Sequence, residues 1–395
     1  MRQKIGLIGL IGLVWFAQPV LANELSDLKK DVTGLKGRVQ ELEIADRVMG
    51  GPTLNLNGFT DISFTSEDGE DKNTNNFAMG QFDLFMTSRI SDNVSFLGEI
   101  IFEFDEDTNE TLLDLERVEL KYTLTEWLTI NVGRMHTSLG YWNTAYHHST
   151  WLHTSIFRPL LSNWEDDNGI MPSHIVGVEF SGRKEVGLFA LKYALGVGNG
   201  RGKNREEIQN VRDANDAKAI NFLIGISPDF VPGLEFGVNV YTDDIPADTT
   251  EDTNGNPVNP ARNGKIDELI LGGYVAYLYN NLELLGEVSN INHDDSVKQK
   301  EYDTLAFYIQ GGYQIEDFTP YYRFDYIDFG GGDPYYAAPN QNNIMQNEFD
   351  ITKHSVGLRW DVNTWHALKL EYSLSDKDQA GGNTHAVSVS ASFRF

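Results

Sequence analysis

Cysteine is missing from the 395-residue chain, so disulfides play no part in it. A chain exported unfolded through an oxidising compartment avoids mispairing in that way. Basic residues are few: 31 Lys and Arg stand against 58 Asp and Glu, for a formal net charge of −27. That balance argues against nonspecific nucleic-acid binding, which needs surplus cations to neutralise phosphates. Long apolar runs are lacking too. The run Ile5–Ala17 has 13 residues, short of the roughly 20 that a spanning helix needs, and no later segment reaches about 18. There is no G-x-S-x-G nucleophile elbow.

The two ends of the chain are more informative. Arg2 and Lys4 precede the apolar run, and Gln18-Pro19-Val20-Leu21-Ala22 follows it. This is the layout of a secretory signal peptide, cleaved after Ala22. Loss of Arg2 and Lys4 would take the net charge from −27 to −29. At the other end, Val387, Val389, Ala391, Phe393 and Phe395 alternate with Ala386, Ser388, Ser390, Ser392 and Arg394. Apolar and small polar residues in period two mark a strand facing lipid on one side. The ending Phe393-Arg394-Phe395 resembles the C-terminal assembly signal of outer-membrane barrels, which their assembly machinery reads.

Between the ends, residues 23–46 form a separate unit. Leu25, Leu28, Val32, Leu35, Val39 and Leu42 recur at spacings of three and four, a heptad seam. A seam this short buries more area among three helices than between two, so it reads as a trimeric coiled coil, in the periplasm. Residues 47–52, with Gly50-Gly51-Pro52, are a linker.

From Thr53 to Phe395 one motif repeats: about ten residues alternating apolar and polar, then a turn or loop. The strands expected are 53–65, 76–90, 93–104, 112–125, 127–135, 173–182, 187–197, 218–227, 233–242, 265–279, 282–290, 301–315, 318–328, 350–362, 366–375 and 384–395. The fold class is therefore all-β, a sixteen-stranded antiparallel transmembrane barrel with a short N-terminal coiled-coil helix. An even count puts both termini on one side. Short turns alternate with longer acidic connectors, among them Glu67–Asn76, Asp105–Glu110, Asp243–Lys265 and Gly330–Phe349. Trp127, Phe230, Tyr277, Tyr279, Phe318 and Trp365 sit beside the short turns, where an interfacial aromatic belt belongs. In the fourth strand, strict alternation sends Asp114 and Glu116 outward.

One connector differs from the rest. Residues 136–173, between the fifth and sixth strands, are rich in Trp, Tyr, His and Leu, including Trp142, His147, His148 and Arg158. So many aromatics would not be left in water; folding into the lumen buries them. The acids of this loop gather at Glu165, Asp166 and Asp167, while the wall carries inward Arg89, Arg117, Lys121, Arg323, Arg359 and Lys369, with Arg134 just before the loop. Loop acids facing wall bases would set a transverse field across a constriction. Pairing of Arg117 with Glu99, or of Lys369 with Glu371, is the competing reading. His147, His148 and His153, with His136 and His174 at the loop's edges, are able to bind Zn²⁺ or Cu²⁺. Their H-H-x4-H spacing is not a zinc spacing, so they read as polar loop residues, and neither metal nor cofactor is expected.

Together these features resemble the trimeric Gram-negative porins. Members with a coiled coil, such as the dicarboxylate type, look closest in architecture, followed by the phosphate-selective type. The position after the fifth strand is similar to that of the porins' third loop, which folds inward and narrows the pore. The resemblance implies a homotrimer in the outer membrane, in contact with lipid and lipopolysaccharide, and passive diffusion of small hydrophilic solutes and ions. A channel selective for small organic anions is the alternative. A barrel hydrolase built from Ser149, His147 and Asp166 is a weaker one. The lysine-rich lumen of phosphate-selective members is not matched by any run of inward lysines here. Acidic mouths favour cations and the basic wall favours anions, leaving ion preference open.

Overall fold

The computed structural model describes residues 30, 33, 34, 36 and 37, and residues 52–395 except 70–72, 106–109, 148–149, 164–168, 206, 208–210, 249–263, 337–349 and 378–381. The chain divides into two units, Met1–Thr53 and Leu54–Phe395. In the first, residues 30, 33, 34, 36 and 37 are helical and 52 and 53 are not. The leader expected at 1–22 and all six residues of the heptad seam lie outside the described residues.

The second unit is a closed antiparallel barrel of sixteen strands, each paired with its neighbours in sequence, with β1 closing on β16. The strands are β1 (Leu54–Asp68), β2 (Asn73–Arg89), β3 (Val94–Asp105), β4 (Glu110–Thr125), β5 (Leu128–His136), β6 (His174–Val186), β7 (Phe189–Gly198) and β8 (Ala219–Pro228). They continue as β9 (Leu234–Ile245), β10 (Ile266–Tyr279), β11 (Leu282–Asp295), β12 (Lys300–Tyr313), β13 (Phe318–Phe329), β14 (Ile351–Asn363), β15 (His366–Lys377) and β16 (Gly382–Arg394).

The wall is inside out by the standards of a water-soluble protein. Along β16, Val387 and Val389 are exposed while Ser388, Ser390 and Ser392 are buried. The same alternation runs through Ile220 and Phe222 on β8 and Leu368, Leu370 and Tyr372 on β15, all exposed. An apolar band this extensive is stable only against an apolar solvent. Among the described residues no helix is long and apolar enough to cross a membrane. Trp127, Phe230, Tyr279, Phe318 and Trp365 are exposed beside their turns, as an interfacial belt requires.

Three local features depart from strict alternation or from the expected turns. β1 and β2 extend until only residues 69–72 separate them, and β3 and β4 until only 106–109 do, so two expected long connectors are tight. The turn expected at 183–185 moves on to Gly187, whose φ of +64° suits a residue without Cβ. The third is in β4. Glu99 pairs with Arg117, but Ile100 pairs with Leu115, leaving Glu116 as an extra residue. This bulge reverses the phase of everything before it. Leu113 and Leu115 become the exposed residues, while Asp114 pairs with buried Ile101 and Glu116 is buried. The expectation that Asp114 and Glu116 face lipid is corrected by that single inserted residue.

Candidate functional site: a segment folded against the inner wall

The β5–β6 connector leaves the wall after the rung from Thr137 N–H to Ser173 C=O (2.9 Å). Its described residues carry one helical turn, Trp142–Ala145, and one 3-10 turn, Leu160–Ser162. Trp142 is fully buried and meets Tyr308 edge-on at 5.9 Å. Leu139, Trp142, Leu161, Ile170 and Met171 form one apolar cluster with wall residues that include Ile266, Ile270, Ile291 and Ile327. Leu139, Trp142 and Leu161 thus have the burial that their composition demanded, while Leu152 and Phe157 stay exposed.

Polar contacts then fix the segment strand by strand. On β11, Glu287 accepts the N–H groups of Tyr141 and Trp142, each at 2.7 Å, and the hydroxyl of Tyr308 at 2.6 Å. Thr154 donates to Glu283 at 2.9 Å. On β13, Arg323 is fully buried and donates to Ser155 Oγ (2.9 Å) and to the carbonyls of Phe157 (2.8 Å) and Arg158 (3.1 Å). Asp325 accepts the N–H of Leu160 at 3.0 Å. On β14, Arg359 donates to the carbonyls of Trp151 (2.8 Å) and His153 (2.9 Å) and lies over the Trp151 ring. On β15, the Lys369 ammonium donates to the carbonyls of Thr150, His153 and Ser155, while Glu371 accepts the N–H of Ile156 at 3.0 Å.

The chemical logic is one of satisfaction. An irregular segment inside a barrel has backbone donors and acceptors that no ladder pairs. The wall supplies cations to the carbonyls and carboxylates to the amides, through bonds worth about 1.5–3 kcal/mol each when one partner is charged. Each cation also has an acid two residues along its own strand: Arg323 bonds Asp325 at 2.9 Å and Arg359 bonds Asp361 at 2.7 Å.

The basic residues of the expected eyelet fall into separate places. Arg323, Arg359 and Lys369 come together, and they hold loop backbone. Arg117 pairs with Glu99, and Lys121 with Glu119 at 2.9 Å, so these two belong to a separate ladder on β3 and β4. Arg89 does not join either group; it ends β2, largely exposed, 3.5 Å from Asp92. Arg134 is buried, and its Nε donates to the carbonyl of Glu116 at 2.9 Å. Arg158 reaches the Ser162 carbonyl at 3.4 Å. His148, Glu165, Asp166 and Asp167 lie outside the described residues. Sequence reasoning missed Glu287 and Asp325, and named Glu371 only as a partner for Lys369. The available signal was the repeated base-x-acid pattern, Arg323-Phe324-Asp325, Arg359-Trp360-Asp361 and Lys369-Leu370-Glu371, which places both charges on one face of a strand.

The histidines separate into two sets. His153 is buried, its Nδ1 2.9 Å from the Ser155 carbonyl. Burial, and then Lys369, Arg158 and Arg323, hold its imidazolium pKa well below the ordinary histidine value. His147 instead joins His136, His174 and Glu116 where the segment leaves and rejoins the wall. Burial, and then Glu235, push the Tyr141 hydroxyl up to about 12, so it stays neutral.

No family model matches the chain, and no curated protein matches its sequence. Solved structures do match it. OmpT, an outer-membrane protein of Vibrio cholerae, is similar over 87% of this chain and 98% of its own, with 12% identity and a TM-score of 0.58. An anion-selective porin from Comamonas acidovorans matches over 87% and 100%, with 11% identity and a TM-score of 0.56. The outer-membrane channel DcaP of Acinetobacter baumannii matches over 87% and 98%, with 12% identity and a TM-score of 0.55. At such identities the likeness is one of fold: the second unit has the sixteen-stranded barrel fold of the porins.

Proposed function

We propose that this chain is an outer-membrane porin, passing small hydrophilic solutes and ions by diffusion through a water-filled pore that the β5–β6 segment narrows. The observation that carries the reading is the segment's attachment. It leaves the wall at β5 and β6 and is bonded to inward side chains of β11 and β13–β15. A sixteen-stranded barrel is wide enough to leave an aqueous channel around such a segment. One solved form of the similar Vibrio OmpT is a trimer, and the heptad seam at 25–42 favours the same state here. Lipid and lipopolysaccharide would surround the wall, and the barrel-assembly machinery would read Phe393 and Phe395.

A hydrolase reading is not favoured. Both ring nitrogens of His147 are engaged, Nδ1 at 2.6 Å from Asn143 Oδ1 and Nε2 at 2.7 Å from Glu116 Oε1, which leaves no base for a serine. Purified protein added to a planar bilayer should give stepwise conductance in groups of three. Protein that inserts folded but gives no steps would overturn the proposal.

A further inference from the structure

Four side chains meet at the root of the segment. His136 ends β5 and His174 begins β6, directly opposite one another in the ladder. Glu116 is the bulged residue of β4. His147 comes from the segment itself and holds a left-handed φ of +48°. One ligating atom from each of the four lies within 4.8 Å of every other. Nε2 of His147 and Nε2 of His174 are both 2.7 Å from the same oxygen, Oε1 of Glu116. Nε2 of His136 is 4.0 Å from that oxygen, is shielded from solvent, and makes no hydrogen bond.

The hydrogen bonds around His147 fix its tautomer. Asn143 Nδ2 donates to the carbonyls of Thr137 (2.8 Å) and Ser173 (3.2 Å). The amide is thereby oriented, and its Oδ1 faces Nδ1 of His147 as an acceptor. Nδ1 must carry the hydrogen, so Nε2 of the neutral ring presents a lone pair to the carboxylate oxygen 2.7 Å away. Two lone pairs at that distance repel unless a cation lies with them. An outer amide that fixes the tautomer and aims Nε2 inward is also how proteins orient metal-bound imidazoles.

We infer that Glu116, His136, His147 and His174 bind one divalent first-row transition-metal ion, Zn²⁺ foremost. Three neutral imidazoles and one carboxylate suit Zn²⁺, and suit Ca²⁺ or Mg²⁺ poorly. Bonds of about 2.0–2.1 Å in a tetrahedron would put neighbouring ligand atoms about 3.3 Å apart, so small side-chain shifts complete the site. The ion would join β4, both stems of the segment and the segment's first turn. Metal binding stands or falls independently of whether the chain conducts.

The test uses the folded, detergent-solubilised full chain, stripped with chelator and dialysed against Zn²⁺ in excess Ca²⁺ and Mg²⁺. The competing ions hold the carboxylate-only loops. One Zn²⁺ per chain is expected, and Co²⁺ in its place should show the visible d–d bands of a four-coordinate nitrogen-rich site. His136→Gln and Glu116→Gln should each lower affinity by at least about tenfold while keeping heat-modifiable electrophoretic mobility. No stoichiometric metal and no d–d bands would mean that a proton alone occupies the centre, and would overturn the proposal. Unchanged binding in both folded variants would place the ion elsewhere and overturn it equally. If the variants do not fold, the Co²⁺ spectrum of the unaltered chain decides.

Discussion

Gly58 and Phe395 exchange two backbone hydrogen bonds, Gly58 N–H to Phe395 C=O at 3.0 Å and Phe395 N–H to Gly58 C=O at 2.9 Å. The Phe395 ring stacks on Phe82 with centroids 5.6 Å apart. A Cβ added at Gly58 would lie 2.5 Å from both Phe395 Cζ and the carbonyl oxygen of Asp83. The backbone oxygen has no freedom to retreat without breaking the ladder. Gly58→Val should therefore slow closure of β1 on β16 and lower the folded fraction in refolding trials followed by heat-modifiable mobility. Wild-type folding yield in this variant would show that the seam tolerates the side chain.

Arg323→Met should release one stretch of the segment and spare the barrel. It orphans the carbonyls of Phe157 and Arg158 and leaves the buried Asp325 without its cation. Removing one partner of a buried pair costs about 3–5 kcal/mol. Amide exchange over residues 155–160 should accelerate by orders of magnitude, with strand exchange unchanged. Arg323→Lys should recover only part of the protection, since one ammonium cannot reproduce the planar fork. Equal protection in all three proteins would contradict the anchoring role.

Glu287→Gln is nearly isosteric, yet it should loosen the first turn. Both carboxylate oxygens accept backbone N–H groups, Tyr141 at Oε2 and Trp142 at Oε1. An amide replaces one acceptor with a donor, leaving a buried N–H unpaired at a cost of about 1–3 kcal/mol. Chymotrypsin should then cut at Tyr141, Trp142 or Tyr146 in the folded variant and leave the parent intact. Resistance equal to the parent's would sink this prediction.

Acid should loosen the segment through His153. Its folded-state pKa lies below the unperturbed value of 6.5, chiefly through burial and then through Lys369, Arg158 and Arg323. The rings of Trp142 and Tyr146 also pack near it. A depressed histidine stabilises the docked state fully above the unperturbed pKa, and that stabilisation is lost as pH falls through 6.5 toward the folded-state value. Single-channel recordings from pH 7.5 to 5 should show more gating at the acid end. His153→Gln should flatten the dependence, and an unaltered pH profile in that variant would remove His153 from the account.

The barrel was legible because lipid-facing strands repeat one short rule sixteen times, and Phe395 set its phase. Alternation failed where one residue was added, at Glu116, since period two carries no mark of a bulge. It also failed where strands outran their apolar cores, as at Asn73–Asn76, whose polar side chains do not signal that pairing continues. In the segment, hydrophobicity pointed inward for residues 136–173, and Leu139, Trp142 and Leu161 among the described ones pack against wall residues. It could not tell that Arg323 would meet backbone, because unpaired carbonyls leave no trace in composition. The four residues at the segment's root come from three strands and a loop, and only the fold brings His147 to Glu116.

In the closed ring, β13 and β14 stand eight places from β5 and β6. The segment that leaves at β5 and β6 is fastened to Arg323 and Arg359 on those two strands, and also to Asn239 on β9 and Asp61 on β1, so it ties together strands from opposite parts of the ring. A wall one sheet thick is a hoop, stiff to stretching but easily flattened into an oval. A tie between opposite parts of it resists that flattening. Lateral pressure from the bilayer would then be carried by a handful of arginine, lysine and carboxylate contacts as well as by the ladder.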